Sequence, residues 1–471
     1  MSHVVAIDEG TTGVRAIRVD ERGRVVDSAY TEFRQIYPRP GWVEHDPEEI
    51  WQATLGVVRK VIPDPASIAA IGVTNQRETV VVWDRRTGRP VYNAIVWQCR
   101  RTSEACDRLR ARGLAEPIRR KTGLVVDAYF SATKIEWILK NVKPKGDLCA
   151  GTIDTWLLWN LTGGKVHATD PTNASRTMLY NIDRRDWDPD LLKLFRVPRA
   201  LLPEVRGSTA SFGSTSLFGG EIPLYGVAGD QQAALYGQGC IAKGSMKNTY
   251  GTGCFMMIQT GGRRVDSKAG LLTTLACGPK GETTYALEGA VFIAGAAIQY
   301  LRDSLKMIER AEESEALATS IASTGGVYFV PAFVGLGAPY WDAKARGAIV
   351  GLTRGSGRAE IARAALESIA YQTRDMIEAG GVRVRELRVD GGATANNFLM
   401  QFQADVLGAK IVRPKTLGST ALGAAYLAGV GAGLWKSRAE LGLDVDRVFS
   451  PVLSRKAANS LFAGWKHAVK Q

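Results

Sequence analysis

Two short apolar strands, far apart in the chain, each run into an acidic turn of small and amide residues. Val4-Val5-Ala6-Ile7 leads into Asp8-Glu9-Gly10-Thr11-Thr12. Leu224 to Ala228 leads into Gly229-Asp230-Gln231-Gln232, and Ala233-Ala234-Leu235 then starts a helix. A third unit follows the same plan, with Leu387-Arg388-Val389 ending in Asp390-Gly391-Gly392-Ala393. Strands followed by helices argue for an α/β layer fold. A carboxylate at a strand end can hold magnesium or take a proton, and a Gly-Thr-Thr turn can wrap phosphate oxygens with backbone N–H groups. Two such loops facing one cleft would make a phosphoryl-transfer site. It would be one without a Walker loop, since no G-x-x-x-x-G-K-[ST] occurs.

A chain of 471 residues is too long for one core and fits two large domains or three smaller ones. We place the boundary near Gly237 to Lys243, giving an N-terminal domain of 1–239 and a C-terminal domain of 240–471. The six cysteines form no CxxC and no cluster with histidine, which excludes a disulfide framework or a zinc site and points to a reducing, cytoplasmic setting. Asp8 and Glu9 interrupt the place where the apolar core of a secretory signal would run. Thr416 to Trp435 carries no charge, but five glycines hold its hydropathy down. A helix packed inside a domain is expected there, with no membrane insertion. The net charge of +13 is spread over short basic pairs rather than a run interleaved with aromatics, so no nucleic-acid partner is expected.

Asp46 to Val61 reads as a helix, with Asp46 as N-cap, Pro47 at N1 and Glu49 at N3. Ile68 to Val73 and Thr79 to Trp83 read as strands. In the second half, Gly289 to Leu301 reads as a small-residue helix, Arg363 to Met376 as an amphipathic helix, and Asn396 to Leu407 as another. No fixed-period repeat is visible.

Each candidate site residue also has an ordinary structural reading. An Asp-x-Gly turn between strands is usually just a turn. Asp230 at a helix start could simply be an N-cap. Arg77 and Glu78 in Asn75-Gln76-Arg77-Glu78 are either solvated or line a cleft. Trp97, Tyr129 and Phe255 could equally pack in a core. Gly391-Gly392-Ala393 with Asn396-Asn397 could seat a nucleoside or form a tight turn. The four histidines, His3, His45, His167 and His467, show no pairing with a nucleophile.

Taken together, long stretches resemble the FGGY carbohydrate kinase family, and within it the members that act on glycerol. They include Trp42 to Pro47, Thr74 to Thr79, Ala94 to Thr102, Thr152 to Trp156 and Asp170 to Met178. Gly229 to Tyr236, Lys247 to Phe255, Pro331 to Gly347 and Val389 to Asp405 complete the set in the same order. The resemblance implies two ribonuclease H-like domains of the actin and hexokinase type around an interdomain cleft. It implies ATP and Mg2+ as cofactors, glycerol as substrate, and a homodimer or homotetramer. Asp230 would be the general base. Arg77, Glu78, Tyr129 and Gln231 would hold the hydroxyls, with Trp97 and Phe255 walling the carbon chain. Thr11, Thr12 and Arg15 would face the phosphates, and Asp8 with Asp230 would hold the metal. Thr252, Gly295, Gln299, Gly392, Ala393 and Asn396 would line the nucleotide site. The family usually has Gln at the position of Glu9 and Ser-Ser at Gly13-Val14. An added carboxylate and a lost hydroxyl there are expected to weaken nucleotide binding.

Overall fold

The computed structural model describes residues 2–340, 342, 344–415 and 418–471. Trp341 and Ala343 of the Pro331–Gly347 motif, and Thr416 and Leu417 of the 416–435 stretch, lie outside them.

Two mixed sheets share one strand order. The first contains β1 (His3–Glu9), β2 (Gly13–Val19), β3 (Val25–Glu32), β4 (Ile68–Asn75), β5 (Ser211–Thr215) and β6 (Ile222–Gly229), arranged β5-β6-β4-β1-β2-β3. β1 to β3 form an antiparallel meander, β4 lies parallel to β1, and β6 parallel to β4. The second contains β7 (Met246–Tyr250), β8 (Cys254–Gly261), β9 (Leu272–Cys277), β10 (Thr283–Val291), β11 (Glu386–Asp390), β12 (Lys410–Pro414) and β13 (Val445–Phe449). Their order is β9-β10-β8-β7-β11-β12-β13. Here β7, β8 and β10 are the meander, β11 is parallel to β7, and β12 to β11. Each sheet is thus the ribonuclease H-like arrangement, with two parallel strands added beside the first strand of a meander.

Helix α1 (Pro47–Val61) is capped as its sequence dictates, with the Asp46 carboxylate accepting from Glu48 N at 2.9 Å. Its buried Ile50, Trp51, Leu55 and Val58 pack with Val5, Ile7 and Val14 on one face of the first sheet. The other face is covered by α2 (Asp230–Gly237) and α6 (Ser419–Gly431), the helix inside the uncharged 416–435 stretch. The stretch is rich in small residues because backbones meet there: a Cβ on Gly423 would sit 1.8 Å from the Ala233 carbonyl oxygen. Among the described residues no helix is long and apolar enough to cross a membrane.

Between them in sequence come α3 (Gly295–Asp303), α4 (Arg358–Gly380) and α5 (Asn397–Leu407). The expectation of one helix over Gly289–Leu301 is corrected. β10 runs to Val291, paired with Cys254, and the helix begins at Gly295. Small residues carry little hydrophobic periodicity, so cross-strand pairing decides the conformation. A separate four-stranded sheet is formed by Val80–Asp84, Ala94–Ile95 and Leu148–Thr152, all between β4 and β5, with Glu44–His45 from before β4. Trp97 follows its strand Ala94–Ile95, and Tyr129 lies between the helices Ala115–Thr122 and Ala132–Asn141.

Candidate active site

Register brings the first set of site residues together. Glu9 and Gly229 both pair with Asn75, so β1, β4 and β6 end at one level. Asp8, the Gln76-Arg77-Glu78 bend and Asp230 therefore share one rim. Ligands bind outside the carboxyl ends of parallel strands in open α/β sheets. Asp230 is not the N-cap that its sequence context suggests. Gly229 holds that position, and Asp230 is the first helical residue, its Oδ1 accepting from Gln231 N at 2.7 Å.

Around Asp230 lies a buried charge network. Arg77 Nε is 3.1 Å from Asp230 Oδ1, and Arg77 Nη2 donates to the Tyr129 hydroxyl at 2.9 Å. Arg77 Nη1 donates to Glu288 Oε2 at 2.6 Å. Arg176 bridges Glu78 Oε1 at 2.7 Å and Glu288 Oε1 at 2.9 Å. Arg77, Glu78, Arg176 and Glu288 have side chains at most 2% exposed, whereas that of Asp230 is 28% exposed. The two guanidinium groups hold the Glu288 carboxyl below the usual range against the opposing effect of burial. Tyr129 is set in place from behind, since the buried Lys134 ammonium donates to the carbonyls of Ala128, Tyr129 and Phe130. Trp97 packs edge-on against Tyr129, with ring centroids 5.4 Å apart.

The phosphate loop is tied to the same pocket. The Trp97 indole N–H donates to Thr11 Oγ1 at 2.9 Å. The Gln35 amide donates to the Thr11 carbonyl at 2.9 Å, and His45 Nε2 donates to Gln35 Oε1 at 2.8 Å. Burial keeps His45 neutral, with its pKa brought down to about 4. Thr12 and Arg15 are exposed at this rim, and Arg15 Nη1 lies 3.5 Å from where a Cβ on Gly418 would stand. Burial and the charge of Asp230 push Asp8 up to about 7, while Arg15 pulls it down. The residues that depart from the family pattern are packed. Glu9 is buried, accepts from Gln76 Nε2 at 2.9 Å, and is held protonated well above the usual range by burial. A Cβ on Gly13 would meet the Tyr30 hydroxyl at 2.7 Å, and Val14 lies in the core.

The second rim is built on the same plan. β7 and β11 end together, Thr249 facing Asp390, and their turns carry Thr252 and Gly392-Ala393. Backbone bonds hold these turns: Ala294 N donates to Thr252 O at 2.8 Å, and Gly295 N to Gly251 O at 3.0 Å. Thr252, Gln299 and Gly392 are exposed, and Gly295 and Ala393 half-buried. Asn396 is engaged as the N-cap of α5, accepting from Leu399 N at 2.8 Å. Phe255 faces Thr249 and Ala290 across β8, one step along from Lys247, Met257 and Glu288. Alternation puts all of these on one face of the second sheet. The buried Lys247 ammonium on that face donates to Gln231 Oε1, to Thr249 Oγ1 at 2.8 Å and to Phe255 O at 3.2 Å.

Glu288, Arg176, Lys247 and Lys134 escape sequence reasoning. Only Glu288 carries a local signal, a single charge inside the apolar and small-residue run Tyr285–Val291, which must find a partner when buried.

Two ribonuclease H-like sheets, each ending in a carboxylate rim and joined through a buried charge network, define a phosphotransferase of the actin and hexokinase type. The chain belongs to the FGGY family of carbohydrate kinases, whose N-terminal domain matches residues 3–237 and C-terminal domain residues 246–432. It is 57% identical to "Glycerol kinase 2" of Thermotoga maritima, covering all of this chain and 99% of that protein. It is 58% identical to a glycerol kinase of Symbiobacterium thermophilum, covering 100% and 98% of the two chains. Among solved structures it resembles the Plasmodium falciparum glycerol kinase with ADP, with a TM-score of 0.93, 37% identity, and 100% and 98% coverage. The xylulose kinase of Lactobacillus acidophilus shares the fold at a TM-score of 0.89 and 24% identity, covering 100% and 99%.

Proposed function

We propose that the protein transfers the terminal phosphoryl group of ATP to glycerol, giving sn-glycerol 3-phosphate, with Asp230 as general base. The observation that carries this reading is the contrast in exposure within one network. Asp230 keeps an accessible carboxylate, while the four charges that orient it are sealed from water. A base must reach its substrate, and the groups that aim it need not.

In this reading Arg77, Glu78, Tyr129 and Gln231 hold the hydroxyls of the triol, and Trp97 and Phe255 wall its carbon chain. A neutral triol needs a polar partner for each hydroxyl and a small apolar wall for shape. Thr11, Thr12 and Arg15 face the phosphates. Thr252, Gly295, Gln299, Gly392, Ala393 and Asn396 line the nucleotide. Phosphoryl transfer asks chiefly for positioning and charge neutralisation, which these residues supply. The Trp97–Thr11 bond ties the wall of the triol pocket to the phosphate loop, so acceptor and donor are positioned by one element.

Mg2+ fits the carboxylate pair of Asp8 and Asp230. Burial, and after it repulsion from Asp230, raises Asp8; a divalent cation would relieve the repulsion, and oxygen donors suit a hard ion. Among the described residues no three His, Cys, Asp or Glu side chains gather as a metal site. Mg2+ commonly takes one or two carboxylates and completes its shell with water and phosphates. When bound it would neutralise charge on the transferring phosphoryl group.

The reading divides the chain at 239/240, where it passes from one sheet to the other, and carries with it a cytoplasmic homodimer or homotetramer. ADP release from Mg-ATP, measured with glycerol, erythritol, xylulose and dihydroxyacetone in parallel, tests the substrate. Strong stimulation by glycerol is expected. Stimulation by another acceptor but not by glycerol would keep the transfer and replace the substrate.

A further inference from the structure

We infer that Glu288 is the positioning residue for Arg77, and that through it the second sheet sets the geometry of the polyol pocket. The inference rests on the reading of Arg77 as a ligand of the substrate hydroxyls. Arg77 follows the end of β4 with a backbone φ of 64°, a left-handed conformation that a non-glycine residue rarely adopts. Within the bend its neighbour Glu78 lies 3.7 Å from Nε, too far for a hydrogen bond that would fix where the long side chain points. The partner that does so comes from the other half of the chain. Glu288 grips the guanidinium with both oxygens, Oε2 to Nη1 at 2.6 Å and Oε1 to Nη2 at 3.2 Å. Such a fork fixes the plane as well as the position of the group.

The donors of Arg77 can be accounted for. Both Nη2 protons are taken, by Tyr129 and Glu288, and one Nη1 proton goes to Glu288. Nε sits against Asp230. One Nη1 proton remains for an incoming hydroxyl, and the grip of Glu288 decides where it points. Arg176 completes the device, binding Glu288 Oε1 and Glu78 Oε1 together from a fully buried position. Without the Glu288 carboxylate, Arg77 would be drawn toward Asp230 and Glu78, its remaining anionic neighbours.

β10 also ties Glu288 to the nucleotide side. Its neighbour strand β8 begins at the turn that carries Thr252, and the helix after β10 begins at Gly295. A change in the alignment of the two sheets would therefore reach the polyol pocket through this one carboxylate. Glu288 is 2% exposed and spends its oxygens on Arg77 and Arg176, so it acts through Arg77 and its effect should appear in affinity for the acceptor.

The test is a cycle of Glu288→Gln, Arg77→Gln and the double variant in the full chain. Michaelis constants for acceptor and ATP are read separately, with thermal unfolding as a control. Glu288→Gln is expected to raise the glycerol KM at least tenfold and to leave the ATP KM within about twofold. In the Arg77→Gln background it should add less than a further twofold. Equal rises in both constants, or a double variant whose KM is the product of the single effects, would overturn the assignment. If Glu288→Gln does not fold, Glu288→Asp keeps the charge but withdraws it by one methylene, and a rise confined to the glycerol KM is again expected. If the parent enzyme prefers another small polyol, the glycerol reading fails while the same split on that polyol still decides Glu288. A parent enzyme inert toward every polyol would sink both.

Discussion

The two rims have the same strand order and opposite chemistry. At the first, fixed side-chain charges do the work, and Arg77, Glu78 and Arg176 are sealed there against Glu288, which reaches in from the second sheet. At the second, the candidate residues are exposed or half-buried, several are glycine or alanine, and backbone bonds hold the turns in place. On the proposed function, the difference follows from what each side would bind. A small neutral polyol offers only hydroxyls, so its pocket must present rigid, desolvated partners. A nucleotide is large, flat and charged, and it needs space, backbone donors and a closely approaching chain. Duplicating a fold thus leaves each copy free to solve a different recognition problem at the same topological position.

The sharpest break in that comparison is Asp230→Asn. It should fold, bind ATP with near-normal affinity and lose about 10²–10⁴ in kcat, the range for a positioned base. Single-turnover rates alongside ATP titration would check it, and near-normal turnover would remove Asp230 from that role. Next comes Arg77→Ala, which should raise the glycerol KM about 100-fold, or ~3 kcal/mol, with a much smaller effect on ATP. Equal effects on both constants would move Arg77 out of the polyol pocket. The mirror-image change is Gly295→Val. A Cβ there would stand 2.6 Å from the Gly251 carbonyl oxygen, so the turn carrying Thr252 must shift. The ATP KM should rise about tenfold, a loss of ~1.4 kcal/mol, with little change for glycerol. A rise in the glycerol constant instead would show that the two rims are not separable.

These residues were legible to different degrees. The strand-end carboxylates and the Asp46-Pro47 cap are local signals, and the structure places them where the pattern implies. The long uncharged stretch was legible as a packed helix because glycines there have a steric purpose, as at Gly423. The helix read over Gly289–Leu301 was wrong in its first half because β10 is held by pairing with β8, a partner distant in sequence. Glu288 sits in that same strand and was missed for the same reason. Its importance comes from facing Arg77 across the two sheets, and no neighbour in Thr284-Tyr285-Ala286-Leu287 announces that contact. The packing of Glu9 and Gly13 was equally hidden. The sequence suggests an extra charge at the phosphates, whereas Glu9 is sealed behind the loop against Gln76.

The smallest expected effect is a dependence on acid that should reach the first rim. His45 is fully buried, and burial disfavours its charged ring and lowers its pKa to about 4, well below the ordinary histidine value. In the unfolded chain the ring takes a proton as the pH falls through its ordinary value, while the folded chain refuses it until near 4. The unfolded state therefore binds more protons over that window, and stability present at neutral pH is lost as the pH falls. For this one group the loss is about 1 kcal/mol near pH 5.5. His45→Gln should flatten the fall in Tm between pH 6.5 and 4 relative to the parent, and an unchanged slope would show that other groups set it. Position makes the effect diagnostic as well. His45 reaches Thr11 through Gln35, and the 251–253 turn is held independently by its own backbone bonds. Hydrogen exchange at mildly acidic pH should therefore rise in Gly10–Thr12 before it rises in 251–253, and His45→Gln should abolish that order. Simultaneous opening of both turns would mean that the two rims, for all their different chemistry, are stabilised as one unit.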